Sequence, residues 1–269
     1  MFDLTKLKYT PKKSNMKLII LGSGTGVPLS YRASPSIALI FNSNYYIFDI
    51  GPGTLRQMAK AALSHERISR IFITHLHPDH TADLIHFIFA TRNPSVIKKR
   101  APFYITGPGG LKKFINHLQD IYYPYLTLPQ HIMQIEELEA EETSERDYNL
   151  IKIITRPTRH TSESIAYRVE ARSGGCFVYS GDTGFCEDIV TLANGADTLI
   201  LESSFPEGAE VEGHLTPTQA GVIATSAGVK KLVLVHFYPE CLAADIATQC
   251  RKAYKGELIL GSDFLNISI

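Results

Sequence analysis

Short apolar runs recur along this chain, and most stop at a glycine, a histidine or an aspartate. Lys17 to Leu21 predicts a first strand, closed by Gly22-Ser23-Gly24-Thr25-Gly26-Val27-Pro28. A dinucleotide-binding turn fails there, because Val27 takes the third glycine position and Pro28 stands where a helix should open. A tight turn that lets backbone approach a site fits better. Ser36 to Phe41 and Tyr45 to Ile50 flank Asn42-Ser43-Asn44 and predict a hairpin. Apolar positions at Leu55, Met58, Ala61 and Ala62 predict a helix over Thr54 to Leu63. Further strands are predicted at Arg70 to Thr74, Pro102 to Thr106, Leu150 to Ile154, Ile165 to Glu170 and Cys176 to Ser180. Thr198 to Leu201 and Lys231 to Val235 complete the clear ones. Helices are predicted at Thr81 to Ala90, Leu111 to Leu118, Pro217 to Ala227 and Leu242 to Lys255. The acidic stretch Glu136 to Glu145 reads as exposed surface.

No 20–50-residue repeat and no Pro- or Ser-rich linker interrupts this order. Each half begins with strands and ends with βα units, which suggests two sheets with helices packed outside. The expectation is an α/β fold in one domain over residues 1–269, with 1–15 a peripheral extension because Met16 would itself serve as a start.

The densest polar cluster is Thr74-His75-Leu76-His77-Pro78-Asp79-His80, directly after Ile71-Phe72-Ile73. Alternation along an extended segment would put His75, His77 and Asp79 on one side, and Pro78 biases His77 towards extended geometry. Gathering these groups at a strand end is costly unless something binds them. A divalent metal does so, since imidazole and carboxylate are both zinc ligands. The same habit recurs at His160, Asp182, His214 and His236, each at or near the end of an apolar run.

Composition changes the picture only by exclusion. The 269 residues are 44% apolar and 20% charged with a formal net charge of +0, so no global field draws the protein to nucleic acid or anionic membrane. The basic clusters Lys98-Lys99-Arg100 and Lys230-Lys231 read as solvated surface. No run approaches a membrane span, and residues 1–14 lack the features of a signal peptide. The four cysteines form no C-x-x-C pair, so the expected setting is the cytoplasm, with reduced thiols.

Taken together, the motifs resemble the metallo-β-lactamase superfamily and, within it, the ribonuclease Z-like branch. The matching residues are Gly22-Ser23-Gly24-Thr25-Gly26, Asp49-x-Gly51-Pro52-Gly53-Thr54-Leu55, Thr74 to His80, Gly107-Pro108-Gly109-Gly110-Leu111, Ser180-Gly181-Asp182-Thr183, His214-Leu215-Thr216 and Val235-His236-Phe237. The resemblance implies a four-layer αββα sandwich carrying two divalent metal ions at one edge. Under it, His75, His77 and His160 hold one ion, Asp79, His80 and His236 hold the other, and Asp182 bridges them. Zinc is the expected metal, because the flavo-diiron relatives carry a glutamate where this chain has His77; manganese and iron also suit these ligand types.

The expected chemistry is phosphodiester hydrolysis by a metal-bridging hydroxide, oriented and deprotonated by Asp79. His214 would protonate the leaving oxygen, a role the resemblance gives to ribonuclease Z-like members. It precedes Thr216-Pro217-Thr218-Gln219, which reads as an N-cap, a proline at N1 and a capping-box glutamine. In tRNA-processing relatives a long flexible arm separates the motif histidine from the bridging aspartate, whereas here only residues 161–181 lie between His160 and Asp182. That span and the neutral charge favour a small phosphodiester or short nucleic acid over tRNA. A homodimer is expected from the resemblance. The alternatives are a tRNA 3′-processing endoribonuclease, a lactone or thioester hydrolase, and a metal-loaded binding protein without turnover. Phe185, Phe205, Phe237 and Tyr238 are candidate pocket residues; His65, His86, His117 and His131 match no motif.

Overall fold

A computed structural model describes residues 16–139 and 143–269; the extension read at 1–15 lies outside the described residues. Strands β1 (Lys17–Gly22), β2 (Ser36–Phe41), β3 (Asn44–Phe48), β4 (Ile68–Phe72), β5 (Phe103–Pro108) and β6 (Met133–Leu138) lie in sequence order across one sheet. Strands β7 (Ser144–Asp147), β8 (Ile151–Pro157), β9 (Ile165–Ala171), β10 (Cys176–Tyr179), β11 (Thr198–Glu202), β12 (Lys231–Val235) and β13 (Glu257–Leu260) form the second. The last strand, β14 (Asn266–Ser268), returns to the first sheet and pairs antiparallel with β1. Each sheet is antiparallel at one end and parallel where helices make the crossovers.

The period-2 alternation of the strands sorts their side chains into layers. Leu18, Ile20, Phe48 and Phe72 of the first sheet meet Tyr167, Phe177, Val233 and Val235 of the second in a central core. The intervening positions Ile19, Leu21, Ile47, Ile71 and Ile73 face outward. They pack under α1 (Thr54–Lys60), α3 (Asp83–Thr91) and α5 (Leu111–Ile121), with α2 (Pro78–Thr81) and α4 (Pro94–Ile97) at the ends of α3. On the other side, Val178, Leu199, Leu201, Leu232 and Leu234 pack under α6 (Glu187–Ala193), α7 (Pro217–Ser226), α8 (Pro239–Leu242) and α9 (Ile246–Arg251). Three apolar interfaces between four layers make the αββα sandwich.

Several predicted boundaries move. The helix read over Leu242 to Lys255 is broken into α8 and α9, because Asp245 turns out of the helix and caps the Thr248 N–H at 3.0 Å. β6, β7 and α6 carry no clear sequence signal. The stretch read as acidic surface begins inside β6, where Glu136 pairs with Arg70 and accepts from the Tyr148 hydroxyl at 2.9 Å. Arg100 is not a solvated cation either. Its guanidinium is buried over the Phe103 ring and donates to the carbonyls of His65 and Ile68.

Candidate metal centre

The centre lies where β4, β8, β10, β11 and β12 end, between the two sheets' loops. After β4, Thr74 and His75 remain buried, His77 adopts an extended backbone, and Pro78 opens α2 at its first position. The predicted alternation therefore stops at His77. Asp79 and His80 lie on a helical turn, which sends Asp79 away from the His75 and His77 side. A side chain at residue 51 would collide with this turn, because its Cβ would come 2.0 Å from the Asp79 carbonyl oxygen. Glycine is required there by close approach.

Two groups of potential ligand atoms result. His75, His77, His160 and Asp182 form one, and Asp79, His80 and His236 form the other. Asp182 stands between them. Its Oδ1 is 3.3 Å from both His80 Nε2 and His236 Nε2, while its Oδ2 lies 3.9 Å from His75 Nε2 and 3.8 Å from His160 Nε2. Asp79 Oδ2 is 3.7 Å from His80 Nε2 and 3.6 Å from His236 Nε2. All the candidate ligands are thus brought together.

Hydrogen bonds on the far side of each ring decide which nitrogen points inward. His75 Nδ1 donates to Thr74 Oγ1 at 3.0 Å, His80 Nδ1 to Asp49 Oδ2 at 2.7 Å, and His160 Nδ1 to the Gly213 carbonyl at 3.0 Å. His236 Nδ1 donates to Ser204 Oγ at 2.9 Å, whose own proton goes to Glu202 Oε2 at 2.5 Å. Every Nε2 of these four rings is left facing the centre. Three of them, on His75, His80 and His236, are buried without a protein partner, as is Asp182 Oδ1. Orphaned buried nitrogens and oxygens converging on two points are what a pair of divalent cations would satisfy. The residues present fit such a pair.

Asp49 and Glu202 are the residues that the sequence reading missed in these roles. Asp49 is fully buried at φ 56°, and besides His80 it accepts from the Thr74 N–H and the Tyr179 hydroxyl, both at 2.8 Å. Glu202 closes β11, is also buried, and accepts from the N–H groups of Thr183 and Leu215 at 2.9 and 3.1 Å. It also accepts from His214 Nδ1 at 2.8 Å. Both carboxylates sit at strand ends, the habit already seen for His160 and Asp182, and that was the available signal.

Charge follows the same geometry. Burial, and then the neighbouring His80, push the His75 imidazole well below its ordinary range. Burial opposes charge on His80 too, but Asp182 and Asp49 outweigh it and raise the group well above 6.5. Burial disfavours the Asp79 carboxylate, yet the neighbouring His236 and His80 imidazoles hold it at about 2. His214 is raised as well: burial works against its proton, and the Glu202 bond and charge prevail.

His214 lies beside the second group rather than inside the set. It borders the first group as well: its ring centroid is 4.9 Å from that of His160 and 5.9 Å from that of His236, to which it is parallel within 14°, and it can join Asp182 and His236 as a third potential cluster. A buried carboxylate stands behind it, as Asp49 stands behind His80, whereas His75 and His236 face a hydroxyl and His160 a carbonyl. Its helix forms as the sequence predicts, with Thr216 as N-cap, Pro217 opening the helix and Gln219 completing the capping box. Of the candidate pocket aromatics, Phe205 and Tyr238 flank His214. Phe237 does not: it is fully buried in the outer core, with Arg32 stacked 5.0 Å above its ring. Phe185 packs against the same core.

Comparison with known proteins places these features in a family context. A family profile described as "Beta-lactamase superfamily domain" matches residues 44–237. The ribonuclease Z of Methanothermobacter thermautotrophicus is 30% identical over 82% of this chain and 86% of its own length. The crystal structure of human tRNase Z, short form, superposes with a TM-score of 0.77 at 26% identity, covering 94% of this chain and 99% of that one. A metallo-β-lactamase fold protein from Bacillus subtilis superposes at a TM-score of 0.81 with 19% identity, over 94% of this chain and 99% of its own.

Proposed function

The chain belongs to the metallo-β-lactamase superfamily and, within it, to the ribonuclease Z-like proteins, and from that membership we propose a metal-dependent endoribonuclease that processes tRNA 3′ ends. The observation that carries this reading is the Glu202–His214 pair beside the two ligand groups. Bond scission in a phosphodiester leaves an alkoxide that must gain a proton, and a histidine whose proton is favoured by a buried carboxylate at the edge of a metal centre can supply it.

His75, His77 and His160 would hold one cation, and Asp79, His80 and His236 the other, with Asp182 shared. When bound, two such ions supply Lewis acidity towards phosphoryl oxygens and charge for the transition state. Asp49, Thr74 and Ser204 fix the inward tautomers of the rings they bond. Asp79, ionised at ordinary pH and half inside the site, is placed to accept a proton from the attacking water. His214 donates its Nε2 proton to the leaving oxygen, and Glu202 stabilises the charged imidazole before transfer.

The short span after His160 pointed to a small phosphodiester. In the structure, residues 165–179 of that span form the β9–β10 hairpin, and the segment carries no arm. The comparisons nevertheless favour tRNA, because the similar proteins are ribonucleases Z and a short-form tRNase Z matched over nearly its whole length. A substrate panel decides between the two. With metal-loaded protein, kcat/KM on a 3′-extended tRNA precursor should exceed that on bis-p-nitrophenyl phosphate or a cyclic nucleotide by at least about 100-fold, about 2.7 kcal/mol of transition-state binding. Faster turnover of the small diesters would restore the other order. Lactones and thioesters should be inert.

A further inference from the structure

Phe205 and Tyr238 form a stacked pair, 4.7 Å between centroids and 17° between planes. Unlike Phe185 and Phe237, neither belongs to any of the three apolar cores or packs against one. Both rings are partly exposed. Their centroids lie 5.7 and 6.1 Å from that of His214, and both are tilted steeply to the imidazole, so His214 sits at the edge of the stack rather than on it.

The backbone beneath the pair is tied to the site. Phe205 follows Ser204, the partner of His236, and its N–H bonds to the Leu215 carbonyl at 3.3 Å. Tyr238 is the N-cap of α8, two residues after His236, and its N–H bonds to the Ser204 carbonyl at 3.3 Å. Two flat apolar faces are therefore held rigidly beside the proposed acid, which keeps the ordering cost of stacking a third ring low. Every nucleobase offers a face to such a surface, whatever its sequence.

We propose that the Phe205–Tyr238 pair is a stacking platform for one nucleobase, that of the nucleoside whose oxygen leaves when the phosphodiester is cut. The side follows from His214. The group that protonates the leaving oxygen lies at the edge of the stack, so the leaving nucleoside is the one whose base reaches it. This rests on the nucleic-acid reading above and on His214 as the acid.

The test pairs protein and substrate changes. RNA carrying an abasic residue on the leaving side of the cut should lose about tenfold in kcat/KM with wild-type protein, mostly through KM. In Phe205→Leu and Tyr238→Leu, the abasic and intact substrates should become equal within about twofold, and Tyr238→Phe should keep the wild-type discrimination. Equal loss on both substrates would make the pair a prop for His214, and coupling to the other flanking nucleoside would put the platform on the wrong side; either result overturns the proposal. Thermal melts show that each variant folds. A short 2-aminopurine oligoribonucleotide with hydrolysis-resistant linkages separates this from the function itself. Quenching by metal-loaded wild type but not by Phe205→Leu supports the platform even if no RNA is cleaved, whereas no quenching by wild type removes it.

Discussion

Asp49 faces none of the proposed cations, yet four of its contacts set the geometry of the centre. It fixes the tautomer of His80, holds the Thr74 backbone and hydroxyl, and accepts a hydrogen bond from the Tyr179 hydroxyl. Replacing it with asparagine leaves a buried amide that cannot accept all these bonds. Asp49→Asn should bind divalent metal about 10–100-fold more weakly by competitive chelator titration. Glu202 does for His214 what Asp49 does for His80. His214→Ala should cut turnover of RNA by about 10²–10⁴-fold while two metals per chain remain, as measured by elemental analysis. Glu202→Gln removes the negative charge behind His214. The carboxylate raises the His214 pKa, so the acid form persists as pH rises and is lost only through that raised value. Without it, the alkaline limb of the pH–kcat profile should move to lower pH. At this scale the candidate ligands were legible, because four fall within His75 to His80 and the others repeat the strand-end habit. Asp49 and Glu202 were not, because a carboxylate that acts through another side chain has the same local sequence context as any buried acid.

The strand-to-turn junctions place these side chains, and one of them allows no side chain of its own. Gly181 sits between β10 and Asp182 at φ 59°, where an added Cβ would lie 2.6 Å from that of Thr74. Gly181→Ala should cost about 1–3 kcal/mol from backbone strain alone. It should also move Asp182 out of register with both ligand groups, so calorimetric stability and metal content fall together. Unchanged metal content in the alanine variant would mean that the junction tolerates a shift. Strands flanked by glycine or histidine were legible here because burial on both faces gives them a continuous apolar run, as in Leu232 to Val235. Among the described residues β6 and β7 are the outermost strands at their ends of the sheets, and their sequences, Met133–Leu138 and Ser144–Asp147, are too polar to show the period. The mistaken placement of Asp79 has a related cause. Pro78 made His77 extended, but as the first residue of α2 it ended the alternation in the same step.

Across the whole molecule, the two sheets bring strand ends far apart in sequence to one edge, and the centre holds them there. His75, His80, His236 and Asp182 carry buried polar atoms that no protein group satisfies. Ions that bind only the folded chain should therefore stabilise it. Removing them with a chelator should lower the melting temperature, and restoring a divalent metal should recover it; an identical melting curve in both states would argue against a loaded centre. Among the described residues no helix is long and apolar enough to cross a membrane. The four-layer order was readable from the succession of strands and helices, but the choice of substrate was not. A short span after His160 described one missing arm, whereas similarity over nearly the full length of a short-form tRNase Z bears on the whole surface. The most direct measurement is cleavage of a 3′-extended tRNA precursor by chain carrying two divalent ions, with products mapped on a sequencing gel. The expected result is a single cut at the 3′ extension that disappears on chelation and returns with metal. A chain shown to hold two ions that leaves the precursor intact would contradict it.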